Sequence, residues 1–336
     1  MIIGYLSLIM MLVAPILITA TGGMICERSG VVNVGLDGLM SIGACTAAIV
    51  HQQLELAGCG RISLVIALVV GAVVSGLVSL VHGVASIDMK ADQTISGTGI
   101  NLLAGGLTVF VCQRFYGTDR SKEFMLGMTK DALGFYPTLY VSLAVIVLAW
   151  FVLYKTPFGM HLRACGEHPA AADSVGINVR RIRYIGVLTS GLLGGLAGGC
   201  AVLTQTIQYT DTFTNGRGFI ALAAVAFGRW TPLGVFGASM LFGASLALAT
   251  ISSMIPALKV VPSQVFNCIY GKSRLVLAAV KMVIINNIRR YRVVKRFGVK
   301  SAAEAAACVF NVERRQRFRL KSERFCRLSI RNIRTI

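Results

Sequence analysis

Charge is scarce in this sequence. Of its 336 residues only 14% are Asp, Glu, Lys or Arg, against roughly 25% in soluble domains. The residues that carry chemistry are sparse too. The four histidines (His51, His82, His161, His168) fall at no metal-ligand spacing, and the nine cysteines contain no Cys-x-x-Cys pair. Neither a zinc site nor a disulfide framework follows, and most of the cysteines sit in apolar runs as small hydrophobes. A phosphate-binding loop is missing. Gly271-Lys272-Ser273 has the right ending, but the position five before Gly271 is Phe266 rather than glycine. A dinucleotide fingerprint fails as well, because Gly97-x-Gly99 is followed by Leu102 where glycine is needed. No Ser/His/Asp grouping can be assembled. The chain therefore shows no chemistry, metal, cofactor or energy source of its own, which argues against a membrane enzyme.

What it has instead is apolar length. Hydrophobic residues make up 55% of the chain and the mean hydropathy is +0.71. Several runs approach the roughly 20 residues needed to cross a bilayer. The fold class expected is all-α: a polytopic transmembrane helical bundle with short re-entrant or broken helices. The spans fall near residues 5–25, 39–50, 62–86, 93–112, 136–154, 184–207 and 234–256. A run of about ten apolar residues between Arg217 and Arg229 is too short to cross and suits a broken helix. With short elements ambiguous, six to nine membrane segments are expected. The first is read as retained, because no basic segment precedes it.

Two polar stretches lie inside this apolar frame. Asn33 and Asp37 stand four apart, on one face if that segment is helical. Asp37 is then either an interfacial acid or part of a buried polar seam. Residues 93–101 mix Thr94, Thr98 and Asn101 with glycines. Such sequence is tolerable only against protein or a water-filled cavity, so it is either a packing seam or the lining of a pathway. Farther on, Gly191, Gly195 and Gly199 recur every four residues, with Gly194 and Gly198 offset beside them. This double small-x-x-x-small pattern predicts close helix packing.

A polar island at 156–183 separates two apolar spans. Lys155, Arg163, Arg180, Arg181 and Arg183 outnumber Glu167 and Asp173, which places the island in the cytoplasm. Pro169 suits a first helical turn, Glu167 suits the positive end of a helix, Ala170 to Asp173 continue a short helix, and Gly176 is a natural stop. Such a helix is a linker, or a surface that another protein approaches closely over small side chains.

The core Arg163-Ala164-x-Gly166-Glu167-x-Pro169-x-Ala171-Ala172, with Gly176 beyond it, resembles the coupling loop of ABC importer permeases. The block Gly23-x-x-Cys26-Glu27-Arg28-Ser29-Gly30, continuing through Asn33 and Asp37 to Ala44, resembles a signature of the nucleoside-type members. So does the run from Gly216-Arg217-Gly218-Phe219 onwards. The likeness is to the nucleoside and simple-sugar branch of the branched-chain amino acid/ribose permease-like superfamily, and it covers roughly residues 10–267. It implies a multi-pass permease of the bacterial cytoplasmic (inner) membrane that moves nucleosides. Simple sugars such as ribose or galactose are the alternative. A different class, the ion-coupled secondary transporter, would show intramembrane acids and repeated halves; apart from Asp37 near a border, neither is evident. The implied partners are an ABC ATPase subunit that binds the ATP, a sister permease or second copy, an extracytoplasmic substrate-binding protein and membrane lipid. No nucleic acid is expected. The implied docking residues are Arg163, Gly166, Glu167, Pro169, Ala171, Ala172 and Gly176. His168 departs from the Asn common there.

The net charge of +19 is concentrated at one end. Residues 1–270 hold 15 basic and 11 acidic residues, whereas 271–336 hold 18 and 3. Lys272, Arg274 and Lys281 interrupt the last apolar run, each costing about 2.5–3.5 kcal/mol at a bilayer centre. The organisation expected is a permease domain at 1–266 and an atypical basic tail at 267–336. That tail is either a segment touching anionic lipid or RNA, or a terminus replaced by an altered reading frame or fusion. The second reading is preferred.

Overall fold

The computed structural model describes residues 2–254 apart from 132, 133 and 212; the expectations for 267–336 lie outside the described residues. The chain is an all-α bundle. Helices α1 (Ile2–Arg28), α2 (Leu36–Leu56), α3 (Ile62–Gly83), α4 (Gln93–Tyr116) and α5 (Pro137–Lys155) come first. The short α6 (Pro157–Glu167) and α7 (Pro169–Ser174) follow. The long α8 (Val179–Gln205), the short α9 (Arg217–Phe227) and α10 (Pro232–Met254) are the last among the described residues. Among the described residues, α1, α3, α4, α5 and α8 are long and apolar enough to cross a membrane. Helix α2 has the length too, but its end carries His51, Gln52, Gln53 and Glu55.

Burial sorts these helices. Most of α1 and α8 is enclosed by protein, whereas α3, α4 and α5 turn most of their surface outward. Side chains facing outward are those that lipid tolerates, such as Val65, Val69, Leu77 and Val81 on α3 and Leu102, Leu103 and Phe110 on α4. Pro15 lies inside α1 and, lacking an N–H, leaves the Met11 carbonyl without its helical donor; Gln205 Nε2 at the end of α8 donates to that carbonyl instead (3.1 Å).

Glycine decides how closely the core helices approach. Gly191, Gly195 and Gly199 lie along α3, against Ser79 and Gly76, Ser75 and Gly71, and Leu68 respectively. The offset Gly194 and Gly198 face α2, where a Cβ at Gly198 would sit 1.9 Å from the Met40 carbonyl oxygen. A Cβ at Gly43 of α2 would lie 2.3 Å from the Gly195 Cα. Helix α8 is therefore wedged between α2 and α3 with backbones in contact, the geometry small residues permit when lipid supplies no hydrophobic drive.

Among the described residues, one end of the bundle holds more of the basic residues than the other. Arg180 at the start of α8 pairs with Asp88 just beyond α3 (2.8 Å), and Gly166 in the last turn of α6 packs on the last carbonyl of α1, at Arg28. The turn between α9 and α10 hydrogen-bonds to Glu27 and Arg28. The fold thus adds Arg28, Lys90 and Arg229 to the basic residues of the 156–183 island. By the excess of Lys and Arg this is the cytoplasmic end.

Candidate functional site

Two helices, α2 and α9, begin partway along the bundle, where Asp37 near the start of one meets Gly218 at the start of the other. Between Gln205 and α9 the chain turns back into the bundle without helix. Its backbone is satisfied there: Phe124 and Ser121 donate their N–H groups to the Ile207 and Tyr209 carbonyls (2.9 and 3.1 Å), and Ser121 Oγ accepts from Tyr209 N–H (2.8 Å). Tyr209 is fully buried, its hydroxyl 2.7 Å from Ser41 Oγ on α2. The 118–124 loop and α2 thus hold this irregular segment, although Ile207 and Asp211 within it stay exposed. The expected broken helix is α9. Its eleven residues span about 16 Å, half a bilayer core.

Asp37 closes the gap between these two helix starts. Its carboxylate accepts from the Gly218 N–H (2.8 Å) and from Thr214 Oγ1 (3.4 Å). An acid at the first turn of α9 meets otherwise unpaired N–H groups and the positive end of the helix. Glycine at 218 is required, since a Cβ there would lie 2.3 Å from the Asp37 backbone. Asn101 on α4 does similar work for α2: it accepts from the Gly38 N–H (2.8 Å) and donates to the Val34 carbonyl (3.1 Å). Gly97 lets α4 approach Gly35 and Val34.

Asn33 and Asp37 would share a face only within one helix, and that condition is not met. Helix α2 begins only at Leu36, so Asn33 lies in the preceding loop and points elsewhere. It is wholly buried, donating to Ser190 Oγ on α8 (2.8 Å) and accepting from the Gly35 N–H. The candidate pathway residues thus divide. Asn33 is enclosed, Asp37 and Asn101 are half-buried at the junction of helix starts, Thr94 is half-buried, and Thr98 is exposed on α4. The Thr98 hydroxyl is returned to its own helix, at the Thr94 carbonyl (2.9 Å). If this outer face of α4 meets water during transport, cysteine at 98 or 101 reacts with a small water-soluble thiol reagent, in a background freed of native cysteines. Cysteine at 33 stays protected. Protection at 98 and 101 in every transport state would leave only a packing role.

At the cytoplasmic end the 156–183 island contains two helices where one was expected. Thr156 caps α6 by accepting from the Gly159 N–H (3.3 Å), and Pro157 occupies its first turn. Leu162 and Cys165 are buried with Met24 of α1 and Val225 of α9 in one cluster, and Ala172 of α7 belongs to it too. Arg163 lies over the Tyr154 ring (5.0 Å to the centroid). A Cβ at Gly166 would sit 2.2 Å from the Arg28 carbonyl oxygen, so α6 rests on α1 without a side chain between them. Helix α7 runs from Pro169 to Ser174, and just beyond it Gly176 takes a left-handed φ of +84° that suits glycine. Its outer surface is free: Glu167, Pro169, Ala171 and Val175 are exposed, Val175 by 73%. A rigid, shallow, small-residue surface anchored from beneath faces the cytoplasm.

Residues 5–271 match the family described as the branched-chain amino acid transport system / permease component. The chain belongs to this permease family. It is a multi-pass membrane transport component of ABC type, not an enzyme. It is 45% identical over 269 residues to the guanosine ABC transporter permease protein NupQ of Bacillus subtilis, covering 74% of this chain and 83% of that one. It is 39% identical over 266 residues to the nucleoside ABC transporter permease protein NupC of Lactococcus lactis, with the same coverage of each. To the putative glucose ABC transporter permease protein TsgC13 of Haloferax volcanii it is 31% identical over 258 residues, covering 71% and 75%. No solved structure matches significantly.

Reading the permease sequence alone missed Glu27, Arg28 and Trp230 as a group. Trp230 Nε1 donates to the Glu27 carboxylate, and Arg28 Nε donates to the Trp230 carbonyl (2.9 Å). Glu27 and Arg28 stand in the first signature block, and that was the available signal. Their partner lies about two hundred positions away, which no local pattern reports.

Proposed function

We propose that this permease moves nucleosides across the cytoplasmic membrane. It binds no ATP itself and is driven by a separate ABC ATPase that docks on α6 and α7. An extracytoplasmic substrate-binding protein delivers the solute, and a sister permease or a second copy completes the pore, surrounded by membrane lipid. The observation that carries the substrate class is the 45% identity to a protein named as a guanosine permease, extending over 83% of that protein's length. The docking assignment rests on the anchored, outwardly bare surface of α7. Sugar transport is the weaker reading, supported by a more distant relative.

The test is uptake of labelled nucleosides and pentoses by cells that lack their own nucleoside importers and express this chain with its ATPase and binding protein. Purine or pyrimidine nucleosides should accumulate in an ATP-dependent manner and compete with one another. Accumulation of pentose alone would move the chain to the sugar branch. Accumulation that survives ATP depletion would refute the ATP-driven mechanism.

A further inference from the structure

The turn 228–231 joins α9 to α10 at the cytoplasmic end, and its backbone is unusual. Arg229 and Trp230 are consecutive non-glycine residues with left-handed φ angles of +53° and +56°. Such conformations persist only where the surroundings over-determine them, and they gather at places that move or switch. Trp230 is held at both ends, its indole N–H by Glu27 and its carbonyl by Arg28. The turn has no slack either: a Cβ at Gly234 would lie 2.2 Å from the Gly228 carbonyl oxygen, and one at Gly228 would lie 2.4 Å from the Val235 nitrogen.

Both residues that hold Trp230 are the last of α1, the point on which the docking loop rests. Gly166 sits against the Arg28 carbonyl, backbone to backbone. On the other side, the turn is the end of α9, a short helix whose far end is fastened to Asp37 about 16 Å along the bundle. A displacement of α6 therefore meets, in order, the end of α1, the strained turn, α9 and the junction at Asp37. Each step is a hydrogen bond or a backbone contact. We infer that Trp230 is a positioning residue for transport: with Glu27 and Arg28 it transmits movement of the docking helices to α9 and to the polar junction at Asp37. This rests on the proposed docking role of α6 and α7.

The experiment uses the full complex, with ATPase and binding protein, reconstituted in vesicles and supplied with labelled guanosine. Three variants separate roles. Trp230→Phe removes the indole donor, Glu27→Ala removes its acceptor, and Glu27→Gln keeps an acceptor in place. Trp230→Phe and Glu27→Ala should retain bound ATPase and ATP hydrolysis while guanosine moved per ATP falls about tenfold, the size expected for losing one charge-assisted hydrogen bond. Glu27→Gln should recover most of that loss. Unchanged guanosine per ATP in Trp230→Phe would overturn the inference. So would loss of bound ATPase in step with uptake, since the contact would then only shape the docking surface. Failure of Trp230→Phe to accumulate would make the turn a folding element, and the inference would fall with it. If the unaltered complex binds no ATPase, it is the docking assignment that fails, and that outcome is read before any variant is made.

Discussion

Gly198→Leu and Gly195→Leu should each prevent this permease from accumulating as folded protein in the membrane. A Cβ at 198 would lie 1.9 Å from the Met40 carbonyl oxygen, and one at 195 would lie 2.4 Å from the Ser75 Cβ and 2.7 Å from the Gly71 carbonyl oxygen. Extra methylenes in a packed core that can adjust cost about 1–3 kcal/mol. Here the obstacle at 198 is backbone on α2 and the obstacle at 195 is largely backbone on α3, so α8 must move bodily, and the cost should exceed that range. Gly106→Leu on α4 is the control, because nothing lies within 4 Å of a Cβ there. The measurement is the yield of monodisperse protein extracted from membranes, together with its thermal unfolding midpoint. Parent-like yield for the α8 variants would show that the helices are not in backbone contact.

Ala171→Trp and Gly176→Val should leave the permease inserted and extractable but reduce uptake by about tenfold or more, a loss equivalent to about 1.4 kcal/mol of docking or coupling free energy. Ala171 is exposed on α7, so a tryptophan there disturbs nothing within the chain and obstructs only what lands on it. Gly176 acts differently. A Cβ there would touch nothing within 4 Å, yet φ is +84°, a conformation that a β-branched residue resists. Valine should therefore change the path of the chain after α7 without a clash. Ala172→Trp is the contrast. Ala172 is buried with Leu162 and Cys165, so that variant should fail to fold. Pull-down of the ATPase together with nucleoside uptake reads the result. If Ala171→Trp and Gly176→Val both bind the ATPase and transport as the parent does, α7 is only a linker.

The parts of this architecture that were legible are those in which sequence distance and spatial distance coincide. Helix α9 was legible because Arg217 and Arg229 frame a run too short to cross, and α7 because Pro169 and Gly176 mark its two ends. The glycine rhythm of α8 announced close packing. Which row meets α3 and which meets α2 depends on the rotation of one helix against two others, and a single chain does not encode that locally. Helix α6 was overlooked although Thr156 and Pro157 give the same kind of starting signal, because its mixed residues look like a loop until Leu162 and Cys165 find partners on α1 and α9. Asn33 and Asp37 share a face only if the helix is continuous through both. The real start at Leu36 sends one to α8 and the other to α9.

The wedge of α8 between α2 and α3 also has a mechanical meaning. Where side chains separate two helices, they can change rotamer and let the helices slide. Where backbones touch through glycine, no such bearing exists, and the three helices behave as one stiff slab. A pump needs compliance somewhere. In this molecule the backbone contacts at Gly166, Gly218 and Gly228 do not yield either, so movement falls to α9, α10 and the end of α1 turning as units about the strained turn. The slab is then the fixed frame against which a smaller, hinged part works.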